Sequence, residues 1–112
     1  MSEFNIIATV GTSEVELAPY PGGSSGTVPN GKTRMIYAIM LSNSATSANT
    51  VTFRIYRGGS LEKSFSFNLA SPGVFSAVNP KDSPLLAIPS GRTLKAVASA
   101  ESVDVVLAGY DK

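Results

Sequence analysis

With 112 residues, 43% of them hydrophobic and 15% charged, the chain is long enough for one domain with its own core and too apolar to be disordered. Nine Lys+Arg against eight Asp+Glu leave a net charge of +1, which gives no electrostatic footprint for nucleic acid. The absence of Cys excludes disulfides and thiolate metal sites, and the absence of His removes the commonest general base and metal ligand.

Phe4 to Val10 is a β-branched, apolar strand that Gly11-Thr12 ends as a turn. No basic segment leading into an apolar stretch opens the chain, so no secretory signal is expected. Val15 and Leu17 alternate with Glu14 and Glu16 as a short, half-buried strand. Residues 1–18 thus read as an N-terminal strand or arm, and residues 19–27 as a flexible Pro/Gly loop. In that loop two prolines remove ladder donors and three glycines raise the entropy cost of order.

The turn Pro29-Asn30-Gly31 opens a long apolar run, Thr33 to Leu41. Strict alternation puts Met35, Tyr37, Ile39 and Leu41 on one face and Ile36, Ala38 and Met40 on the other. Both faces are then apolar, and cover is expected on both sides, from the same chain or from another subunit. The polar loop Ser42–Thr50 leads to an alternating strand, Val51 to Tyr56. Arg57-Gly58-Gly59-Ser60 forms a hairpin turn, with the Gly pair supplying positive φ, and Glu62 to Leu69 returns. On that return Phe65, Phe67 and Leu69 share the core face.

Ser71-Pro72-Gly73 breaks the chain, and Val74 to Val78 is a short strand or an apolar bridge. Asn79 to Pro84 is a turn cluster with too few carboxylates for calcium. Pro84 to Ile88 is brief and edge-like. Thr93 to Ser99 and Val103 to Tyr110 are the last strands, the latter with Val103, Val105 and Leu107 on one face. No sustained helical stripe appears, and no apolar run approaches the roughly 18 residues of a membrane span. The expected fold is all-β: a single jelly-roll-like antiparallel β-sandwich of about eight strands over residues 1–112.

Val28-Pro29-Asn30-Gly31-Lys32-Thr33 and Ile88-Pro89-Ser90-Gly91-Arg92-Thr93 share one pattern: branched apolar, Pro, small polar, Gly, cation, Thr. Pro and Gly set the turn and Thr suits the strand entry, so the two are expected to be equivalent corners, one in each half of a two-sheet fold.

Catalytic chemistry is thin. Without His, a serine nucleophile would need a lysine base, and Glu62-Lys63-Ser64 lies in a strand that puts neighbours on alternate faces. Glu14 and Glu16 point the same way from one strand, about 7 Å apart; solvated carboxylates on an outer face explain them better than a glycosidase pair. No catalytic, cofactor-binding or metal-binding residue is assigned, and the chain is read as a non-enzyme with no cofactor. Phe4, Ile6, Ile7, Tyr20, Ile36, Met40, Tyr56 and Tyr110 are the candidate interface residues, on the strength of their apolar or amphipathic side chains on strands and loops.

The Val28–Thr33 corner, its continuation Ile36-Tyr37-Ala38-Ile39-Met40-Leu41-Ser42-Asn43-Ser44, the strand Val51–Ile55, the segment Ile88–Ala100 and the closing Val103–Tyr110 together resemble a family of small β-sandwich virion proteins of tailed bacteriophages, found among head-decoration and tail-associated structural proteins. The likeness covers roughly residues 28–110 and consists of turn and strand chemistry. It implies a capsid decoration protein without catalysis, self-associating around a symmetry axis as a homo-oligomer, a trimer by preference. It further implies the major capsid protein or another virion protein as partner, no nucleic acid or membrane partner, and a place on the virion, at the capsid surface before the tail, after synthesis in the host cytoplasm. Residues 1–17 are then the segment expected to reach a neighbouring chain. The alternative is a host-surface module of a tail or head fibre that binds glycan or protein through the tips Pro19–Gly26 and Ser42–Thr50.

Overall fold

A computed structural model describes residues 3–19 and 25–112. Among them are nine strands: β1 (Glu3–Val10), β2 (Val15–Glu16), β3 (Arg34–Asn43), β4 (Asn49–Arg57), β5 (Ser60–Leu69), β6 (Gly73–Val78), β7 (Leu86–Ile88), β8 (Arg92–Ala98) and β9 (Val103–Asp111). Five form one sheet in the order β1-β9-β3-β6, with β7 also on β3; four form the other in the order β2-β8-β4-β5. Every pairing is antiparallel. The fold is an all-β sandwich, and its core lies where the two sheets face each other.

Alternation explains most of that core. Ile6 and Val10 of β1, Val51 and Phe53 of β4, Leu94 and Ala96 of β8, and Val103, Val105 and Leu107 of β9 are buried at every second position. The hairpin between β4 and β5 turns at Gly58, φ +60°, which alone takes the left-handed conformation assigned above to the Gly pair. As far as they are described, residues 1–17 pair and pack within their own chain. β1 pairs with β9 from Glu3↔Tyr110 to Val10↔Val103, and the Leu17 N–H donates to the Leu94 carbonyl. Burial of Ile6, Val10 and Leu17 commits this segment to its own core. Of the loop at 19–27, residues 20–24 lie outside the described residues, while Thr27 is bridged to Thr93.

β3 departs from strict alternation. Its register with β9 slips between Ile36 and Ala38, leaving Tyr37 as the extra residue of a bulge. The phase of the strand therefore switches: Arg34 and Ile36 point inward before the bulge, and Ile39, Leu41 and Asn43 after it. Gly109 lies opposite Ile36, where a Cβ would fall 2.4 Å from the Met35 carbonyl oxygen, so the close approach of β9 beside the bulge requires glycine.

The two Pro-x-Gly corners open β3 in one sheet and β8 in the other, as their shared pattern suggested. Both glycines have φ +78°. The turns also lie side by side: the Val28 N–H donates to the Arg92 carbonyl at 2.8 Å and the Gly91 N–H to the Val28 carbonyl at 3.0 Å.

Three polar side chains enter the interior, each with its partners. Arg34, 3% exposed, is closed onto Asp111 by two parallel bonds, Nε to Oδ1 at 2.8 Å and Nη2 to Oδ2 at 2.9 Å, and its guanidinium lies 4.9 Å from the centroid of the Phe4 ring. At the other end of the sandwich, the amide of Asn43 donates to the Ser47 and Ala70 carbonyls and accepts from the Ala45 N–H. The amide of Asn49 donates to the Ala100 carbonyl and accepts from the Ser99 hydroxyl and the Ala100 N–H. The loop Ser42–Thr50 is therefore anchored at both ends.

Asp111→Ala leaves the Arg34 charge buried without its partner and is expected to lower unfolding stability by about 3 kcal/mol, read by urea denaturation. Asn49→Leu keeps the volume and orphans the groups it serves. The same measurement should show a loss of about 2 kcal/mol.

Candidate functional site

The bulge decides what the outer face of the five-stranded sheet carries. After Tyr37 the outward positions of β3 are Ala38, Met40 and Ser42. Register then builds rows across four strands. Ile7, Val106, Met40 and Ser76 form one row; Asn5, Ala108, Ala38 and Val78 the next; Thr9, Asp104, Ser42 and Val74 the third. Ile7, Met40, Val74 and Val78 are 54%, 50%, 71% and 72% exposed, so four large apolar side chains face solvent around Val106 and two alanines. Asp104, in the outermost row, is the one charged residue in these rows, and its carboxylate accepts from the Thr9 hydroxyl at 3.0 Å. Scattered exposed apolar residues are ordinary; a contiguous set on one pleated face marks an interaction surface.

One end of this face is polar and ordered. The Tyr37 hydroxyl donates to Glu3 at 2.7 Å, Lys81 bonds the same carboxylate at 2.6 Å, and the Tyr110 hydroxyl donates to the Lys81 carbonyl. The Glu3 carboxyl is held below its ordinary value of 4.5, first by the bond from Lys81 and then by that from Tyr37. On the outer face of the other sheet, Glu14 accepts from Arg54 and from the Tyr56 hydroxyl, both at 2.9 Å. Partial desolvation pushes the Glu14 carboxyl up, and those two bonds outweigh it, so the net shift is downward.

The candidate interface residues divide. Ile7 and Met40 stand exposed on either side of Val106, in one row. Ile6 and Ile36 do not offer surface: they are fully buried between the sheets, Ile36 because the bulge sets its phase inward. Phe4 packs against the same core. Tyr110 is buried beneath the segment that carries Lys81, its ring 6.3 Å from that of Tyr37. Tyr56 is half-buried on the opposite sheet under Lys95, whose Nζ lies 5.0 Å from the ring centroid. Tyr20 lies outside the described residues. Val74, Val78 and Val106 were missed. The i, i+4 placement of Val74 and Val78 around Ser76 was the available signal, and it shows a face only once β6 is known to be a strand.

The polar residues do not converge. Glu14 and Glu16 are engaged separately, Glu16 accepting from the Gly26 N–H. Ser60 and Lys63 have Ser-x-x-Lys spacing. Ser60 closes the turn opposite Arg57 while Lys63 stands opposite Ile55, on either side of a second bulge, and no hydrogen bond joins them. Among the described residues no group of three or more Asp and Glu is placed to hold a metal ion, and no helix is long and apolar enough to cross a membrane. Comparison of the sequence with protein-family models and with curated proteins finds no match.

Because the pKa of Glu3 is lower in the folded chain, the Lys81–Glu3–Tyr37 bonds stabilise fully above the ordinary carboxylate value and are lost as pH falls through the folded one. Thermal melts from neutral pH downward are expected to show a steeper acid loss for the wild type than for Glu3→Gln. Parallel curves would contradict the assignment.

Proposed function

We propose that the protein is a non-enzymatic structural module of a phage particle, a capsid decoration protein that binds copies of itself and the capsid through the outer face of its five-stranded sheet. The observation that carries the reading is the apolar set Ile7, Val106, Met40, Val78 and Val74 on a part of the sheet face that no other segment among the described residues covers. A surface of this kind gains by burial at about 25 cal/mol per Å² of apolar area, without a reactive group.

Topology supports the same reading. The first and last described strands, β1 and β9, are neighbours, and the two sheets read β1-β9-β3-β6 and β2-β8-β4-β5, so the chain crosses between sheets at every connection except β4–β5 and β6–β7, an order that resembles a double-sheet jelly roll. Jelly rolls recur in viral capsid domains and in lectins, which is an analogy of fold and not of site. The lectin side of that analogy has less behind it here. The depression at the loop tips, lined by Ser44, Thr46, Ser47 and Glu101, contains no aromatic ring on which a sugar would stack.

Met40→Lys puts a charge at the centre of the face while leaving the core untouched. The variant is expected to melt within about 0.5 kcal/mol of the wild type. In sedimentation velocity it should be a monomer where the wild type is an oligomer, and it should fail to co-sediment with capsid shells. A wild-type chain that stays monomeric and ignores the shells overturns the proposal.

A further inference from the structure

The sandwich is not closed on all sides. Between edge strands β5 and β6 a cleft of about 270 Å³ opens toward the core, lined by Phe65, Phe67, Phe75, Ile39, Ala77 and Leu86. Inward-facing residues elsewhere, such as Val51, Leu94 and Val105, are fully buried, whereas Phe65, Phe67 and Phe75 remain half-exposed. Their rings are already ordered: Phe65 stacks on Phe53 at 5.3 Å, and Phe67 meets Phe75 at 4.7 Å.

Leu86 also lines a second chamber, of about 460 Å³, so the two adjoin. That chamber is bordered by Lys63, Arg92 and Glu62. Lys63 pairs with Ile55 and so occupies the inward row that continues to Phe65 and Phe67, a position where a cation is out of place in a closed sandwich. Arg92 bonds Glu62 at 3.1 Å and stands directly opposite Arg57 in the β4–β8 register. Like charges facing across strands repel. Among the described residues neither Lys63 nor Arg57 has a carboxylate within ion-pair distance. The cleft is thus apolar along its length and unbalanced toward positive charge at one end.

We propose that this cleft binds a single-chain amphipathic anion, an alkyl carboxylate or sulfate, with its tail against Phe65, Phe67 and Phe75 and its head at Lys63. The distance along β5 from Lys63 to Phe67 is about 13 Å at the strand rise, enough to seat a chain of medium length. Charge complementarity selects this occupant over an added strand from a second copy, whose backbone would gain nothing from Lys63. It also gives Lys63 a role beyond that of an inward-pointing charge guarding an exposed edge. The inference is independent of the outer-face reading, since the cleft opens on a different side of the molecule.

The test is an NMR titration of the full chain with decanoate below its micelle concentration, alongside decanol and decyltrimethylammonium. Saturable shifts are expected at Phe65, Phe67, Phe75 and Ala77 with decanoate, and weaker ones with the neutral and cationic analogues. Lys63→Gln should raise the Kd about fivefold without changing the melting temperature. Ala77→Phe, or the smaller Ala77→Val where the first does not fold, should block the shifts. No saturable response at these residues, equal affinity for the three head groups, or binding to phosphatidylglycerol vesicles in place of free decanoate would overturn the proposal.

Discussion

One extra residue in β3 governs the surface of this protein. A strand that must contribute Arg34 and Ile36 to the core at one end and Ile39 and Leu41 at the other cannot do so at period two, because those pairs lie three positions apart. The bulge at Tyr37 resolves the conflict. It leaves Ala38 and Met40 pointing away from the core, places Tyr37 where it reaches Glu3, and demands glycine at position 109 across the ladder. Because β3 is the strand on which β6, β7 and β9 all pair, its phase sets the register of the sheet and the content of its outer face.

Around that strand the two ends of the sandwich are held by different chemistry. At the end where β3 begins, the Arg34–Asp111 pair ties β3 to the last residue of β9. A buried ion pair contributes little net stability against apolar replacements, but removing one member is costly because it leaves the other charge buried and unpaired. At the opposite end Asn43 and Asn49 replace missing ladder bonds for loops that have no secondary structure of their own. No buried side-chain polar atom among the described residues lacks a partner. A scaffold fixed at both ends presents rigid pleated surfaces, which is what a role based on adhesion requires.

Much of this was legible in the sequence because it rests on local rules. The β4–β5 hairpin follows from alternating Val51, Phe53 and Ile55 answered across two glycines by Phe65, Phe67 and Leu69. The inward row of β9 follows from Val103, Val105 and Leu107. The twin corners follow from Pro and Gly at fixed offsets. The bulge was not legible: Thr33 to Leu41 is apolar at nearly every position, so a slip of one residue leaves no trace in the pattern. Nor were the roles of Arg34, Asn43 and Asn49, since a polar residue looks solvated until the chain brings its partner from 77, 27 or 51 positions away. The exposure of the candidate interface residues was illegible for the same reason. Ile7 and Met40 meet only through β9, and Ile36 changed sides with the bulge.

The central claim is that the outward face of the five-stranded sheet, and not the other faces, is where this protein meets its neighbours. Carbene footprinting of side chains over a concentration series tests it directly. As the protein is concentrated, labelling of Met40, Val74 and Val78 should fall together while that of Leu61, exposed on the opposite sheet, stays constant. Labelling of all four that is independent of concentration, or protection that appears at Leu61 instead, would contradict it.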